Sequence, residues 1–262
     1  MKPIFEKAIS ILLRDEKSQH HLSELEVKNP HISVTSDAVF ALADAAAIQQ
    51  AIQCDRPVSS PLKVAISVRE WKYFKQQETT TGMQKYLTAL QAASIHLVEK
   101  YNAKITYIST CQGIPEYWTD DSSVALKIVE KLPENMKNSV SVNTSFHSPS
   151  ELAEMMKNYD FAIATRLHMA ILTLGVGTPV LPIAYEFKTQ ELFARFGLKS
   201  WVQDIEDINA SSLIETIDSF LESLPQIRQQ LFESVEQERQ QALKSSKLVK
   251  TAFEKWQKAQ VK

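Results

Sequence analysis

The chain has 262 residues, of which 44% are apolar and 23% charged, as expected for a globular protein with a large core. A formal net charge of -2 provides no bulk electrostatic reason to expect nucleic acid as a partner. Cys54 and Cys111 lie far apart without C-x-x-C spacing, and the histidines have no ligand spacing, so we expect neither disulfides nor a metal site. The five glycines form no G-x-G-x-x-G motif or P-loop. Any phosphate site must therefore use helix N-termini and cations.

The N-terminus shows no targeting signal. Acidic residues interrupt its apolar stretch, which is unlike a signal peptide. No apolar run reaches the roughly 18 residues typical of a membrane span. We expect a cytoplasmic protein, with peripheral placement at the inner face of the membrane as an open alternative.

The first part of the chain differs in pattern from the rest. We predict a helix over residues 3–13, a second helix after "RDEKS", a strand in "HISVTS" and a helix over 37–52. The linker "CDRPVSSPLK" follows, with two prolines. This segment has too few strands for a sheet with its own core, so it must pack on the main domain or on a partner.

From residue 63 onward, short apolar strands alternate with amphipathic helices, which predicts an α/β fold with a parallel sheet covered on both faces. Helices are predicted over 82–102 and 122–133, and Ser148, Pro149 and Glu151 form a helix start signal. Strands are predicted over residues 63–68, 103–110, 139–143, 160–165 and 179–185. Residues 210–260 are predicted to form two helices, the second long and charged.

Candidate binding residues follow the strands, because ligands of open α/β sheets bind beyond the carboxyl ends of the strands. Arg166 and His168 follow one strand at the start of a helix, and Arg69 follows another. A helix N-terminus attracts anions, arginine suits a carboxylate or phosphate, and histidine can transfer a proton near neutral pH. This edge of the sheet is therefore predicted to bind a small anion with more than one charge.

Further candidates are weaker. Tyr185 and Lys188 follow the last predicted strand and could reach the same crevice. Cys111, in the third strand exit with Thr110 and Gln112, has no adjacent base in the sequence that would favour a nucleophile. Asp120 and Asp121 start a helix, and capping is the favoured role for both.

The ordered motifs resemble those of the polysaccharide pyruvyl transferases. The resemblance rests on "DFAIATRLHMAILTLGVGTPVLPIAYEFKTQELFARFGL", with "KVAISVREW" upstream and "SPSELAEMMKNYD" between. "LLRDEKSQHHL" and "ISVTSDAVFAL" resemble the R-D-E-x-S and V-T-x-D-x-x-F elements of the first domain in that family. The main match runs from about residue 60 to 205.

The resemblance implies two Rossmann-like domains of the GT-B type, with a truncated first domain in this chain. We expect a remnant of the first domain over 1–58, a donor-binding domain over 59–209, and C-terminal helices over 210–262 that pack back across both. The implied reaction transfers a pyruvyl group from phosphoenolpyruvate to a sugar of a cell-surface polysaccharide, forming a ketal without a further cofactor.

The resemblance also implies roles for the candidate residues. Arg166 and Arg69 would bind the anionic donor, Leu167 would contribute a backbone N–H, and His168 would act as a general acid or phosphate ligand. Tyr185 and Lys188 are additional candidate contacts to the donor or to a saccharide or lipid-linked glycan acceptor.

Two other readings stay open. The chain could be a relic that binds donor without transfer, or half of a split enzyme completed by a homo-oligomer or by another chain. It could also be a GT-B glycosyltransferase that uses a nucleotide sugar, although the sequence offers no convincing acidic residue to bind the ribose.

Overall fold

The computed structural model describes residues 1–53, 59–111 and 120–260. The strands in these ranges are, in chain order, β1 (Ile11–Leu13), β2 (Ile32–Val34), β3 (Lys63–Ser67), β4 (Lys104–Ile108), β5 (Val140–Asn143), β6 (Phe161–Ala164), β7 (Val180–Ala184) and β8 (Gln203–Asp204). The α-helices are α1 (Lys2–Lys7), α2 (Glu16–Glu24), α3 (Ala45–Gln53), α4 (Thr79–Tyr101), α5 (Asp121–Glu130), α6 (Pro149–Met156), α7 (Leu167–Leu174), α8 (Phe187–Arg195) and α9 (Ala210–Gln260). Short 3-10 helices include Ala38–Leu42.

The main sheet is parallel, as predicted. Within the described residues it has six strands in the order β5-β4-β3-β6-β7-β8. Alternate side chains of each strand enter cores on opposite faces: Val64 and Ile66 pack with α4 and α5, whereas Ala65 packs with α6 and α7. Burial on both faces explains why the central strands β3, β6 and β7 are apolar almost throughout.

The C-terminal region corrects one prediction. Residues 210–260 form one helix with Pro225 inside it, where we predicted two. Its apolar stripe continues past the proline: Phe220 and Leu224 pack on the α4 side of the sheet, and Leu231 and Phe232 pack on the α7 side. Burial before and after Pro225 outweighs the roughly 3 kcal/mol that an interior proline costs a helix.

The N-terminal region differs from two further predictions. The predicted helix over 3–13 is wrong beyond residue 7, because Ile11–Leu13 form β1, which pairs in parallel with β2. The predicted helix over 37–52 is broken: a 3-10 helix ends at Leu42, and Asp44 then accepts hydrogen bonds from the N–H groups of Ala46 and Ala47 at the start of α3. The 3-10 helix thus ends where Ala43 takes an extended conformation, and the Asp44 side chain caps the start of α3.

The segment that follows β2 makes polar contacts with α9 and with the turn after α7. Ser36 donates a hydrogen bond of 2.6 Å to Glu238 of α9. The Asp44 N–H donates to the Gly175 carbonyl at 2.8 Å, next to the turn where Gly177 adopts a φ of 78°. In the described part of the chain, no helix combines the length and apolarity needed to cross a bilayer.

Candidate functional site

A cleft opens where the main strands end. It has a volume of about 590 Å³ and lies against the carboxyl ends of β4, β6 and β7. Its charged and polar walls come from α7, α8, the segment before α6, and the residue after β1. The lining residues include Arg14, Thr110, Cys111, His147, Arg166, Leu167, His168, Tyr185, Glu186, Lys188 and Thr189.

The structure brings most of the predicted site residues together. Arg166, Leu167, His168, Tyr185 and Lys188 all line the cleft. Arg69, the sixth predicted residue, lies behind the wall, with its guanidinium carbon 4.0 Å from the centre of the Tyr185 ring. The buried Nε of Arg69 has no hydrogen-bond partner among the described residues.

A buried hydrogen-bond network sets the start of α7. The Ser67 hydroxyl at the end of β3 accepts hydrogen bonds from the N–H groups of Thr165 at 3.2 Å and Arg166 at 3.4 Å. The Thr165 hydroxyl is in turn 2.7 Å from that of Tyr86. These contacts hold the backbone of Arg166 at the edge of the cleft.

The Arg166 side chain is held by a carboxylate that we predicted to be a cap. Asp120 does cap α5, but Asp121 is fully buried and accepts two hydrogen bonds of 2.7 Å from Nε and Nη2 of Arg166. Burial raises the pKa of the Asp121 carboxyl above its usual value, and the hydrogen bonds from Arg166 offset part of that rise. The pair fixes the guanidinium plane, and within the described residues Nη1 makes no hydrogen bond.

Two helices present open N-termini to the cleft. Neither Arg166 before α7 nor Glu186 before α8 makes a side-chain capping bond with the described residues of its first turn. By contrast, α6 is closed by a capping box between Ser148 and Glu151, as predicted. Free N–H groups at the start of a helix favour a bound anion.

His168 has charged neighbours from the N-terminal layer. Its side chain is 59% exposed, and Nε2 lies 3.8 Å from Asp37, which accepts a hydrogen bond of 3.0 Å from Arg14. Arg14 and Asp37 stand within the two first-domain motifs, R-D-E-x-S and V-T-x-D-x-x-F, but no role was predicted for either. Arg14 directly follows β1, so the strand-exit rule would have found it if residues 11–13 had been assigned to a strand.

The lining also includes an acidic side chain. Lys188 lies 3.3 Å from Glu186, which is the one acidic side chain that lines the cleft in the described residues. The sequence offered no convincing acidic residue to bind a ribose, and it did not single out Glu186. Gln112 and Cys54 lie outside the described residues, and within those ranges no cluster of three or more potential ligands could hold a metal ion.

Comparisons with known structures support the fold. The chain is similar to sucrose-phosphate synthase from Thermosynechococcus elongatus, with a TM-score of 0.54 and 13% identity over 96% of this chain and 60% of that one. A UDP-forming α,α-trehalose-phosphate synthase from Burkholderia xenovorans also has a TM-score of 0.54, at 12% identity over 88% of this chain and 58% of that one. These similarities show a GT-B-like α/β fold.

Sequence comparisons give the family. Amylovoran biosynthesis protein AmsJ of Erwinia amylovora is 27% identical over 239 residues, which cover 90% of this chain and 57% of AmsJ. The chain thus spans little more than half the length of that relative. The family model described as polysaccharide pyruvyl transferase matches residues 1–186. Since that match covers most of the sequence, the chain belongs to the polysaccharide pyruvyl transferase family.

Proposed function

We propose that the cleft binds phosphoenolpyruvate and that the chain transfers its pyruvyl group to a sugar of a cell-surface polysaccharide. The main support is the set of positive or protonatable side chains, from Arg14, His147, Arg166, His168 and Lys188, that surround two open helix N-termini. A donor with one carboxylate and one phosphate matches that arrangement. The matched relative, a biosynthesis protein for amylovoran, supports a polysaccharide acceptor.

We assign the donor to the start of α7. The free Nη1 of Arg166 and the N–H of Leu167 would bind one anionic group, and Lys188 the other. Arg69 would act from behind Tyr185 by adding positive charge, because it lies outside the lining of the cleft. His168 would act as general acid or phosphate ligand, and its Nε2 lies 3.8 Å from the Asp37 carboxylate.

The proposed reaction needs proton transfer and no further cofactor. A proton added to the methylene carbon of phosphoenolpyruvate gives an oxocarbenium-like centre at C2, which one sugar hydroxyl attacks as it loses its proton. The C2–O bond to phosphate then breaks, and a second hydroxyl attacks C2 as it loses its proton. The products are the cyclic ketal and phosphate.

His168→Ala tests the proposal. Because this side chain is mostly exposed, the variant should stay folded while pyruvyl transfer falls by about 100-fold or more, the usual effect of losing a general acid. Transfer would be followed as phosphate release with a panel of saccharides. His20→Ala, an exposed histidine outside the cleft, is the control. Wild-type turnover in the His168 variant would refute the catalytic role.

A nucleotide sugar is the competing donor. Glu186 in the cleft favours it, because an acidic side chain can bind a ribose hydroxyl, and the GT-B-like fold is compatible with it. Calorimetric titration with phosphoenolpyruvate and with UDP-glucose separates the two. Binding of UDP-glucose alone would reject pyruvyl transfer, and binding of phosphoenolpyruvate without turnover would favour a donor-binding relic or a split enzyme that needs a second chain.

We propose that the protein lies peripherally at the inner face of the membrane and contacts it through the tail of α9, residues 243–260. This tail has five lysines and one glutamate, although the whole chain is slightly acidic. Helical spacing puts its exposed Leu248, Val249, Phe253 and Trp256 on one side. A basic amphipathic helix with aromatic residues typically lies on an anionic lipid surface.

Vesicle sedimentation checks this placement. The protein should sediment with vesicles that contain phosphatidylglycerol and not with phosphatidylcholine alone, and salt should weaken binding. Replacing Phe253 and Trp256 with alanine should reduce sedimentation. Failure of the wild-type protein to sediment with anionic vesicles would reject peripheral binding through this tail.

A further inference from the structure

The cleft has a second lining of different chemistry. Beside the charged groups, it is lined by apolar side chains that do not suit a small anion. Phe146 and Leu42 are the exposed members, with 76% and 66% of their surface accessible. The others are Val39, Pro149, Leu152, Leu167 and Leu172.

The Phe146 segment is held in place by local hydrogen bonds. The Asn143 side-chain oxygen accepts from the Ser145 N–H at 2.9 Å and lies 3.2 Å from Nε2 of His147. Directly after this segment, the capping box between Ser148 and Glu151 fixes the start of α6. The aromatic ring is therefore displayed at the cleft by an ordered turn, and an exposed aromatic in a ligand cleft is a common contact for the apolar part of a ligand.

The apolar lining begins close to the proposed donor site. Leu172 follows His168 by four residues on α7, so the two side chains share a face of the helix, one turn apart. One turn rises by about 5.4 Å. Leu172 thus lies on the same helix face as His168, and both line the cleft that Phe146 and Leu42 also line.

We propose that Phe146 and Leu42 bind the acceptor by packing against the C–H face of a pyranose ring. This inference rests on the proposed function and identifies where its second substrate binds. Phosphoenolpyruvate has no such face, whereas a pyranose presents C–H groups on its faces and hydroxyls at its edge. A ring packed on Phe146 would present those edge hydroxyls inside the same cleft that His168 lines.

Steady-state kinetics with alanine variants tests the proposal. Phe146→Ala should raise the KM for the sugar by about 5- to 20-fold, in the range of losing one aromatic contact, and leave the Kd for phosphoenolpyruvate unchanged. Leu42→Ala should act in the same direction, and Phe146→Tyr should restore most of the affinity. Leu126→Ala, an exposed leucine on α5 outside the cleft, is the matched control.

The outcomes separate this inference from the proposed function. An active wild-type enzyme with an unchanged sugar KM in Phe146→Ala would overturn the acceptor site alone. If the wild type shows no transfer, saturation-transfer NMR with methyl galactoside, glucoside and mannoside measures sugar binding directly. Loss of that binding in Phe146→Ala supports the site, and unchanged or absent binding overturns it. Titration with phosphoenolpyruvate tests the donor site independently.

Discussion

The residue with the greatest influence on the candidate site is Asp121, which makes no direct contribution to the lining of the cleft. It occupies two donor positions of Arg166 and is itself fully buried. Arg69 adds positive charge near the same carboxylate. A buried ion pair mainly fixes geometry, because desolvation offsets much of its attraction. Asp121 therefore occupies the Nε–Nη2 edge of the Arg166 guanidinium and leaves Nη1 for a ligand.

Asp121→Asn should destabilise the fold by about 3 kcal/mol, because it leaves the guanidinium of Arg166 partly buried without its counter-charge. Urea denaturation gives the free energy of unfolding. The neighbouring Asp120→Asn is the control: asparagine caps a helix about as well as aspartate, so the loss should stay below about 0.5 kcal/mol. Equal losses in the two variants would contradict a special role for Asp121.

At the scale of elements, α4 and α9 are joined by a cluster around Asp218. His96 lies 2.7 Å from its carboxylate, and Lys100 and Tyr101 donate at 2.8 and 2.7 Å. Burial alone would raise the pKa of Asp218, but the hydrogen bonds from these α4 side chains lower it to about 2. The cluster thus stabilises the contact only while the carboxyl is ionised.

Asp218→Asn should lower the free energy of unfolding by about 1 kcal/mol near neutral pH, a value discounted because the pair is partly exposed to solvent. The folded pKa lies below the unfolded value of 3.8, so this stabilisation is full above that pH and is lost as the pH falls toward 2. Urea denaturation of both proteins from about pH 2 to about pH 7, in steps of about one pH unit, measures the difference in the free energy of unfolding. Glu215→Gln, exposed on α9, is the control; a pH-independent difference would reject the explanation.

The turn after α7 gives a second prediction at this scale. Gly177 has a positive φ, and a Cβ there would lie 2.7 Å from the Ala47 carbonyl oxygen of α3. Gly177→Ala should cost about 2 kcal/mol or more, since strain adds to a backbone clash. At Gly197, φ is also positive but the nearest atom belongs to the flexible Gln230 side chain. Thermal unfolding should show the smaller loss for Gly197→Ala; the reverse order would count against this packing argument.

At the scale of the whole molecule, α9 holds the two layers together. Its first half packs on α4, and its middle packs on α3 and the 3-10 helix of the N-terminal layer. Leu231, Phe232 and Val235 are completely buried in this middle part. Beyond Ala242, no described side chain of α9 is buried. The part of α9 up to Ala242 therefore stabilises the core, and the exposed part after it is the membrane contact that we propose.

Two truncations test that division. A chain that ends at residue 242 should keep its unfolding temperature and phosphoenolpyruvate binding but lose vesicle binding. A chain that ends at residue 224 should unfold, because each buried side chain lost costs about 2 to 5 kcal/mol and a domain has a total of about 5 to 15 kcal/mol. Circular dichroism on heating gives the measurement. Unfolding of the longer truncation would show that the exposed tail also stabilises the core.

Much of the site could be predicted from local pattern. Apolar strands alternating with amphipathic helices predicted the parallel sheet, and the strand-exit rule placed Arg166, His168, Tyr185 and Lys188 at one edge, where the structure has them. Such predictions succeed because strand periodicity and the polarity of parallel strands are local properties of the chain.

The remaining features depend on contacts between distant residues. The sequence alone established the α/β class, the family motifs and the capping box at Ser148, because each depends on neighbouring residues. Only the tertiary structure decided that Ile11–Leu13 pair as a strand, that Asp121 faces Arg166 rather than capping a helix, and that α9 continues through Pro225. The causes are strand pairing with β2 for residues 11–13, a charged hydrogen-bonded pair for Asp121, and apolar burial on both sides of Pro225 for α9. Each is a contact with a remote element that outweighs a small difference in local propensity.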